Sequence, residues 1–216
     1  MSRRFYGLLV CRGMAVALLL GAGIARAGAF DVTINSPSLF GNPAVLAFDF
    51  SDGGPPDNTV TLSTLTSNGT QSSTATDGNV SGTGPWTFSD FPLSFFNELR
   101  VTFDPMGSSV SFSFTTTDNP PDGGSLPDAF SFFILNADPN ANNPFLITTN
   151  DPTGANALFL YSIGQGADGL SVFTPDQSNF SFNVAPPHAA PEPASLALLA
   201  VGLAALSTRR RPRRTR

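Results

Sequence analysis

Side chains suited to covalent catalysis are scarce in this chain. Its only histidine, His188, lies in a proline-rich stretch, and its only cysteine, Cys11, lies near the N-terminus. The sequence has no lysine and no Gly-x-Ser-x-Gly motif. Because a nucleophile needs a base held beside it, the composition argues against a serine hydrolase or a thiol enzyme.

Carboxylates are more numerous, but their spacing does not indicate a catalytic pair. A glycosidase needs two carboxyl groups facing each other across a sugar, and Glu98 is the only glutamate between residues 28 and 190. Glu98 and Arg100 share one side of a strand by period-two spacing, which predicts an ion pair between them. Most aspartates neighbour Gly, Pro or Asn and suit turns. We therefore predict no catalytic residue and a protein that is not an enzyme.

Metal binding is the site hypothesis that the spacing favours most. Asp138, Asn140 and Asn142 place oxygen atoms at alternate positions, as the start of a calcium loop does. Asn143 replaces the glycine of an EF-hand and Thr149 replaces its closing glutamate, so the loop is not an EF-hand. We favour the simpler interpretation, that these side chains satisfy turn backbones, and we predict no cofactor unless such a site holds Ca²⁺. A second candidate set for one Ca²⁺ ion is Asp118, Asp122 and Asp128.

Two asparagines match glycosylation acceptors. Asn68 begins the sequon Asn68-Gly69-Thr70, and Asn79 is the acceptor in the extended bacterial pattern 77–81. Both lie in or beside the Ser/Thr/Gly-rich segment 69–84, which has almost no bulky apolar residue. This segment is predicted to be a long loop or a mobile hairpin.

Net charge is distributed unevenly along the chain. Ten of the 11 arginines lie in the two termini. Between residues 28 and 190 there is a single basic residue, Arg100, and there are 15 acidic residues. The net charge of that stretch is 1 − 15 = −14. Such a surface repels nucleic acid and anionic lipid, so we expect no nucleic-acid partner.

The interior of the chain has the pattern of an all-β domain. Val110-Ser111-Phe112-Ser113-Phe114 alternates strictly, which places one face in a core and the other in water. About ten or eleven such short stretches alternate with Gly/Pro/Asp turn signals, and none has the period of an amphipathic helix. We predict a β-sandwich, jelly-roll-like, over 28–185, with a phenylalanine-rich core. Further strands are predicted at 30–34, 45–50, 59–65, 86–88, 99–103, 129–135, 145–149, 158–163, 170–173 and 180–184.

The N-terminus has the three parts of a signal peptide. Arg3 and Arg4 are followed by an apolar stretch and then by Ala25-Arg26-Ala27, an A-x-A cleavage site before Gly28. We predict a signal peptide over 1–27, cut by signal peptidase between Ala27 and Gly28. Cys11 leaves with it, so no disulfide is expected in the mature domain.

The C-terminus has three parts as well. A short Pro-rich spacer, 186–190, precedes Pro191, Glu192 and Pro193, and an uncharged apolar run follows. The run 194–206 is roughly 20 Å long as a helix at ~1.5 Å per residue, which is short for a spanning segment. Including Ser207 and Thr208, we predict a weak transmembrane helix over 194–208. Residues 209–216 are predicted to be a cytoplasmic tail that stops transfer of the chain across the membrane. The arginines responsible are Arg209, Arg210, Arg211, Arg213 and Arg214.

This tail, 191–216, resembles the PEP-CTERM sorting signal of Gram-negative bacteria. The resemblance implies an exported protein that exosortase, a membrane transpeptidase, cuts near Pro-Glu-Pro. It further implies transient anchoring in the inner membrane and then delivery to the cell surface or to an extracellular polysaccharide matrix. We expect a structural or adhesive role; the alternative is a calcium-dependent carbohydrate-binding module.

Overall fold

The structure is a computed structural model that describes residues 28–90 and 95–185. These residues form thirteen strands and two short 3-10 turns, at Pro37–Leu39 and Gly166–Gly169, and they contain no α-helix. The strands are β1 Gly28–Asn35, β2 Ala44–Ser51, β3 Thr59–Leu62, β4 Thr66–Ser67, β5 Gln71–Asp77, β6 Val80–Gly82, β7 Trp86–Ser89, β8 Phe96–Phe103, β9 Ser109–Thr116, β10 Ala129–Asn136, β11 Phe159–Ser162, β12 Leu170–Val172 and β13 Ser181–Val184.

The strands make two antiparallel sheets. The first sheet has the order β13-β1-β9-β3-β7-β6, and β4 also pairs with β9. The second has the order β12-β11-β10-β2-β8-β5. The longest ladders are continuous: β1 pairs with β9 from Gly28–Thr116 to Asn35–Ser109, and β2 pairs with both β8 and β10 along its whole length. The all-β, two-sheet prediction is confirmed, while the jelly-roll connectivity stays a prediction.

Phenylalanine rings from both sheets fill the space between them. Every second residue of β9 is buried, namely Val110, Phe112, Phe114 and Thr116. Phe112 lies edge-on to Phe48 of the opposite sheet, with ring centroids 5.1 Å apart, and Phe114 lies 5.1 Å from Phe130. Large apolar side chains with few rotatable bonds fill such a gap with much buried area and little entropy cost. The predicted phenylalanine core is therefore confirmed.

The segment 69–84 is not the loop or mobile hairpin that its composition predicts. It contains β5 and β6, and β5 pairs with β8 although all seven of its residues are exposed. Strand pairing uses backbone N–H and C=O groups, so a Ser/Thr-rich segment can extend a sheet without contributing to the core. At the turn between the two strands the chain changes from the second sheet to the first.

The strand predicted at 145–149 is also wrong. Only isolated bridges occur there, Phe145 with Leu135 and Thr149 with Pro175. The backbone N–H groups of Leu146 and Ile147 both donate to the Ile134 carbonyl, at 3.0 and 3.3 Å. In a regular ladder, successive backbone N–H groups do not donate to the same carbonyl. The shared Ile134 carbonyl therefore shows that this segment is not a regular strand.

We expect the inter-sheet rings to dominate the stability of the domain. Phe114 is fully buried, and its ring centroid lies 4.6 Å from that of Phe30 in the same sheet and 5.2 Å from that of Phe159 in the opposite sheet. Phe114→Ala should lower the free energy of unfolding by about 3–5 kcal/mol, because it removes this contact and leaves a cavity. Phe40→Ala is the matched control, since Phe40 is 63% exposed. Similar losses for both variants in urea unfolding would contradict a core built on these rings.

Candidate metal centre

Three aspartates meet at one end of the two sheets. Asp52 follows β2 directly, Asp128 directly precedes β10, and Asp90 follows β7. The first two are brought together by strand pairing, since Ser51 of β2 lies opposite Ala129 of β10. Asp90 arrives from the other sheet. We call Asp52, Asp90 and Asp128 the aspartate cluster.

The aspartate cluster is tight and largely buried. Each residue offers one carboxylate oxygen, and the three oxygens lie within 4.8 Å of one another. Asp128 is 2% exposed and Asp90 is 5% exposed, whereas Asp52 is partly open to solvent. Among residues 28–90 and 95–185 this is the only group of three acidic, histidine or cysteine side chains that is so close together.

Backbone and amide donors hold these carboxylates in place. Asn58 donates its backbone N–H to Asp90 Oδ2 and its Nδ2 to Asp128 Oδ2, both at 2.7 Å. Gly53 N–H donates to Asp128 Oδ1 at 2.8 Å, and Gly54 N–H donates to Asp52 Oδ1 at 2.6 Å. The loop between β2 and β3 thus positions all three side chains.

Gly53 and Asn58 are required in this loop for steric and hydrogen-bonding reasons. A Cβ at Gly53 would lie 2.4 Å from the Leu126 carbonyl oxygen, so only glycine allows the backbone to approach Asp128 this closely. Asn58 is buried, and its Oδ1 accepts hydrogen bonds from Thr117 Oγ1 and from the Asn119 backbone N–H. Its amide therefore uses both donor and acceptor groups, which fixes its orientation.

The electrostatics of the aspartate cluster are unfavourable without a further partner. Burial raises the pKa of Asp90 to about 6; the Asn58 N–H opposes this rise and the neighbouring Asp128 adds to it. Asp90 Oδ1 is buried and accepts no hydrogen bond. The only basic residue in 28–185 is Arg100, whose Nε lies 2.8 Å from Glu98 Oε1. That contact confirms the predicted ion pair and leaves no cationic side chain in this range for the cluster.

The predicted calcium loop is a chain of turns. Asp138 Oδ1 accepts the backbone N–H of Asn140 at 2.9 Å, and Asn136 Oδ1 accepts that of Asp138 at 3.0 Å. Asp138, Asn140 and Asn142 are all exposed. Their role as calcium ligands stays a prediction, and the turn alternative accounts for the hydrogen bonds that these side chains make.

The second candidate set, Asp118 with Asp122 and Asp128, is not brought together as a group of three. Asp118 Oδ1 instead accepts the Tyr161 hydroxyl and the Gly164 N–H, both at 2.8 Å. Burial, followed by this contact with Asp118, raises the pKa of Tyr161. Asp118 thus anchors a buried tyrosine, while Asp128 belongs to the aspartate cluster.

Both glycosylation candidates lie at turns beside ordered strands and not in a flexible loop. Asn68 follows β4, and its Nδ2 donates to Ser108 Oγ while its Oδ1 accepts the Ser109 N–H. Asn79 lies in the turn between β5 and β6, where its backbone N–H donates to Asn97 Oδ1. Glycosylation at Asn68 and Asn79 stays a prediction.

A second carboxylate of unusual environment lies in the middle of the second sheet. Asp49 of β2 lies opposite Glu98 of β8, which in turn lies opposite Asp77 of β5. Burial raises the pKa of Asp49 to about 7, with Glu98 adding to the effect and Arg100 opposing it. Asp49 Oδ1 is buried and accepts no hydrogen bond.

The terminal signals lie largely outside the described residues. Of the cleavage-site residues only Gly28, the first residue of β1, is described; Ala25 and Ala27 are not. Pro191, Glu192, Pro193, the helix predicted at 194–208 and the terminal arginines also lie outside. Within residues 28–90 and 95–185, no helix has the length and apolar character needed to cross a membrane.

Comparison with known proteins identifies the C-terminal segment. The model of the PEP-CTERM protein-sorting motif matches residues 189–211. The chain therefore carries the sorting motif near its C-terminus, as the resemblance of 191–216 predicts, and this is consistent with an exosortase substrate. No curated protein and no solved structure matches the chain.

The environment of Asp49 predicts a pH-dependent stability. A carboxyl group whose pKa rises from 3.8 in the unfolded chain to about 7 on folding binds its proton more tightly when folded. The free energy of unfolding should therefore fall as the pH rises from about 4 to about 7. Asp49→Asn cannot ionise and should be more stable than wild type by about 1–3 kcal/mol at pH 8, with little difference at pH 4.

Urea unfolding of both proteins across this pH range measures the difference. Asp176→Asn removes one negative charge from an exposed side chain and controls for the change in net charge. If the free energy of unfolding depends on pH in the same way for wild type and Asp49→Asn, the loss of stability at high pH does not come from the Asp49 carboxyl.

Proposed function

We propose that this chain is an exported protein of a Gram-negative bacterium that exosortase processes and delivers to the cell surface or extracellular matrix. There the β domain has a non-catalytic structural or adhesive role. Signal peptidase removes residues 1–27, and the tail holds the protein transiently in the inner membrane. The exopolysaccharide matrix is the expected partner at the final location.

The match of the PEP-CTERM motif to residues 189–211 is the observation that carries this proposal. The motif begins four residues after Ala185, the last described residue of the β domain. All of the described residues therefore precede the motif, and this order supports export of the β domain. The net charge of −14 over residues 28–190 suits a domain that stays soluble there.

Deletion of residues 189–216 tests the sorting role. The truncated chain should lose membrane retention and fail to reach the surface or matrix fraction, because the predicted helix and the arginines that stop it are absent. Cell fractionation with immunoblotting measures this, and Phe40→Ala, an exposed substitution far along the chain from the tail, controls for unrelated effects.

Mass spectrometry of the mature protein should show a C-terminus near Pro191–Pro193. Delivery of the truncated chain in wild-type amounts, or a mature form ending at Arg216, would contradict the proposal.

A calcium-dependent carbohydrate-binding module is the second candidate. The aspartate cluster favours it, because apolar side chains are exposed on the segments next to it. Phe95 is 71% exposed and Leu126 is 73% exposed. The Phe95 carbonyl accepts the Asp52 backbone N–H at 3.0 Å, so an exposed ring belongs to a residue in direct contact with the cluster. Ligand sites commonly combine apolar and aromatic side chains with a small number of polar groups that fix the orientation of the ligand.

Glycan-array binding with and without Ca²⁺ separates the two candidates. The carbohydrate module should bind a defined glycan in Ca²⁺, and EDTA or Phe95→Ala should reduce that binding at least tenfold. Phe40→Ala is the control, because Phe40 is similarly exposed. Absence of binding to any glycan in millimolar Ca²⁺ would remove the carbohydrate candidate and leave the structural role.

A further inference from the structure

We propose that Asp52, Asp90 and Asp128 together bind one Ca²⁺ ion. The site differs from the predicted loop at Asp138, and its ligands come from three separate parts of the chain. It does not depend on the sorting role, because it rests on the geometry of the β domain alone.

The spacing of the carboxylate oxygens fits the size of this ion. Ca²⁺–oxygen distances are about 2.3–2.6 Å, so two ligands on opposite sides of the ion lie about 4.6–5.2 Å apart. The three oxygens of the aspartate cluster lie within 4.8 Å of one another. Mg²⁺ needs about 2.0–2.1 Å and a nearly ideal octahedron, a stricter geometry than Ca²⁺ requires.

An oxygen atom without a partner is an independent indication of a ligand. Asp90 is 95% buried, since only 5% of it is exposed, and its Oδ1 accepts no hydrogen bond. Its other oxygen is already held by the Asn58 N–H at 2.7 Å. A buried acceptor left unpaired is costly, and such atoms are rare in folded proteins. A cation among the three carboxylates supplies the missing partner.

The hydrogen bonds around the cluster resemble those that orient metal ligands. Gly53, Gly54 and Asn58 each donate to a carboxylate oxygen, which fixes the side chains from outside, as outer partners do around bound metals. These donors are neutral, so they do not cancel the carboxylate charges. Arg100 is the only basic residue in 28–185 and it pairs with Glu98. The charge therefore has to be balanced by a bound cation or a proton.

Calcium is the cation that this ligand set and location favour. All of the ligands are hard oxygen atoms, which suit Ca²⁺ and not zinc. The partial exposure of Asp52 leaves room for water molecules to complete the six to eight ligands that Ca²⁺ takes. Extracellular calcium modules have dissociation constants of about 10⁻⁴–10⁻³ M, and we expect the same range here.

Binding would connect the two sheets at this end. Asp52 and Asp128 belong to the ends of β2 and β10 in the second sheet, and Asp90 follows β7 in the first. An ion that binds only the folded arrangement raises stability by mass action. In 10 mM CaCl₂ the melting temperature of the full-length protein in detergent should rise by about 3–10 °C.

Calorimetric titration of the full-length protein with CaCl₂ tests the site directly. Wild type should bind one ion per chain, and MgCl₂ should bind at least tenfold more weakly. Asp52→Asn and Asp90→Asn should each weaken Ca²⁺ binding at least tenfold. Asp138→Asn is the matched control, since it removes the same charge from the loop that the sequence favours, and it should leave binding unchanged.

Amide NMR locates the ion in the wild-type protein and needs no variant. Adding Ca²⁺ should shift the Gly53, Gly54 and Asn58 amides, which donate to the three carboxylates, and leave the Asn140 amide, which donates to Asp138, in place. Absence of calcium binding at 10 mM by folded wild-type protein would overturn the proposal. So would binding that shifts the Asn140 amide and survives Asp52→Asn, because it would place the ion at the other loop.

Discussion

The contact between phenylalanine rings of the two sheets is the constraint on which the rest of the structure depends. Phe112 and Phe114 extend from β9 toward Phe48 and Phe130, which lie on β2 and β10 at the centre of the opposite sheet. With no disulfide expected in the mature domain and a single ion pair, Glu98–Arg100, found in the described part of the chain, apolar burial is the main stabilising term. The ring packing also determines which strand faces which, and so determines where each loop lies.

The loops at one end of the sheets carry the features that suggest binding. The β2–β3 loop crosses from the second sheet to the first, and on the way it supplies Asp52 and the donors of Gly53 and Asn58. Two aspartates from other segments meet it there. Rigid strands that end at a common edge place such side chains more reproducibly than a free loop can.

The sorting motif and the proposed Ca²⁺ site lie in separate parts of this chain. The sorting motif matches residues 189–211, which lie after the described β domain. The β domain, in contrast, holds Asp49 and the aspartate cluster largely buried, and Arg100 is the only basic residue in 28–185. The divalent cation proposed for the aspartate cluster would supply the positive charge that residues 28–185 do not.

Local patterns in the sequence were sufficient for the β class, the phenylalanine core, the Glu98–Arg100 pair and the sorting motif. Each of these depends on the period-two alternation of a strand or on a contiguous motif, so neighbouring residues contain the information. The polar strand β5 was missed because its pairing with β8 depends on backbone groups, which composition does not reveal. The aspartate cluster was missed for a related reason. Asp90 lies 38 residues after Asp52, and Asp128 lies 38 residues after Asp90. Only strand pairing and sheet packing bring the three within ligand distance.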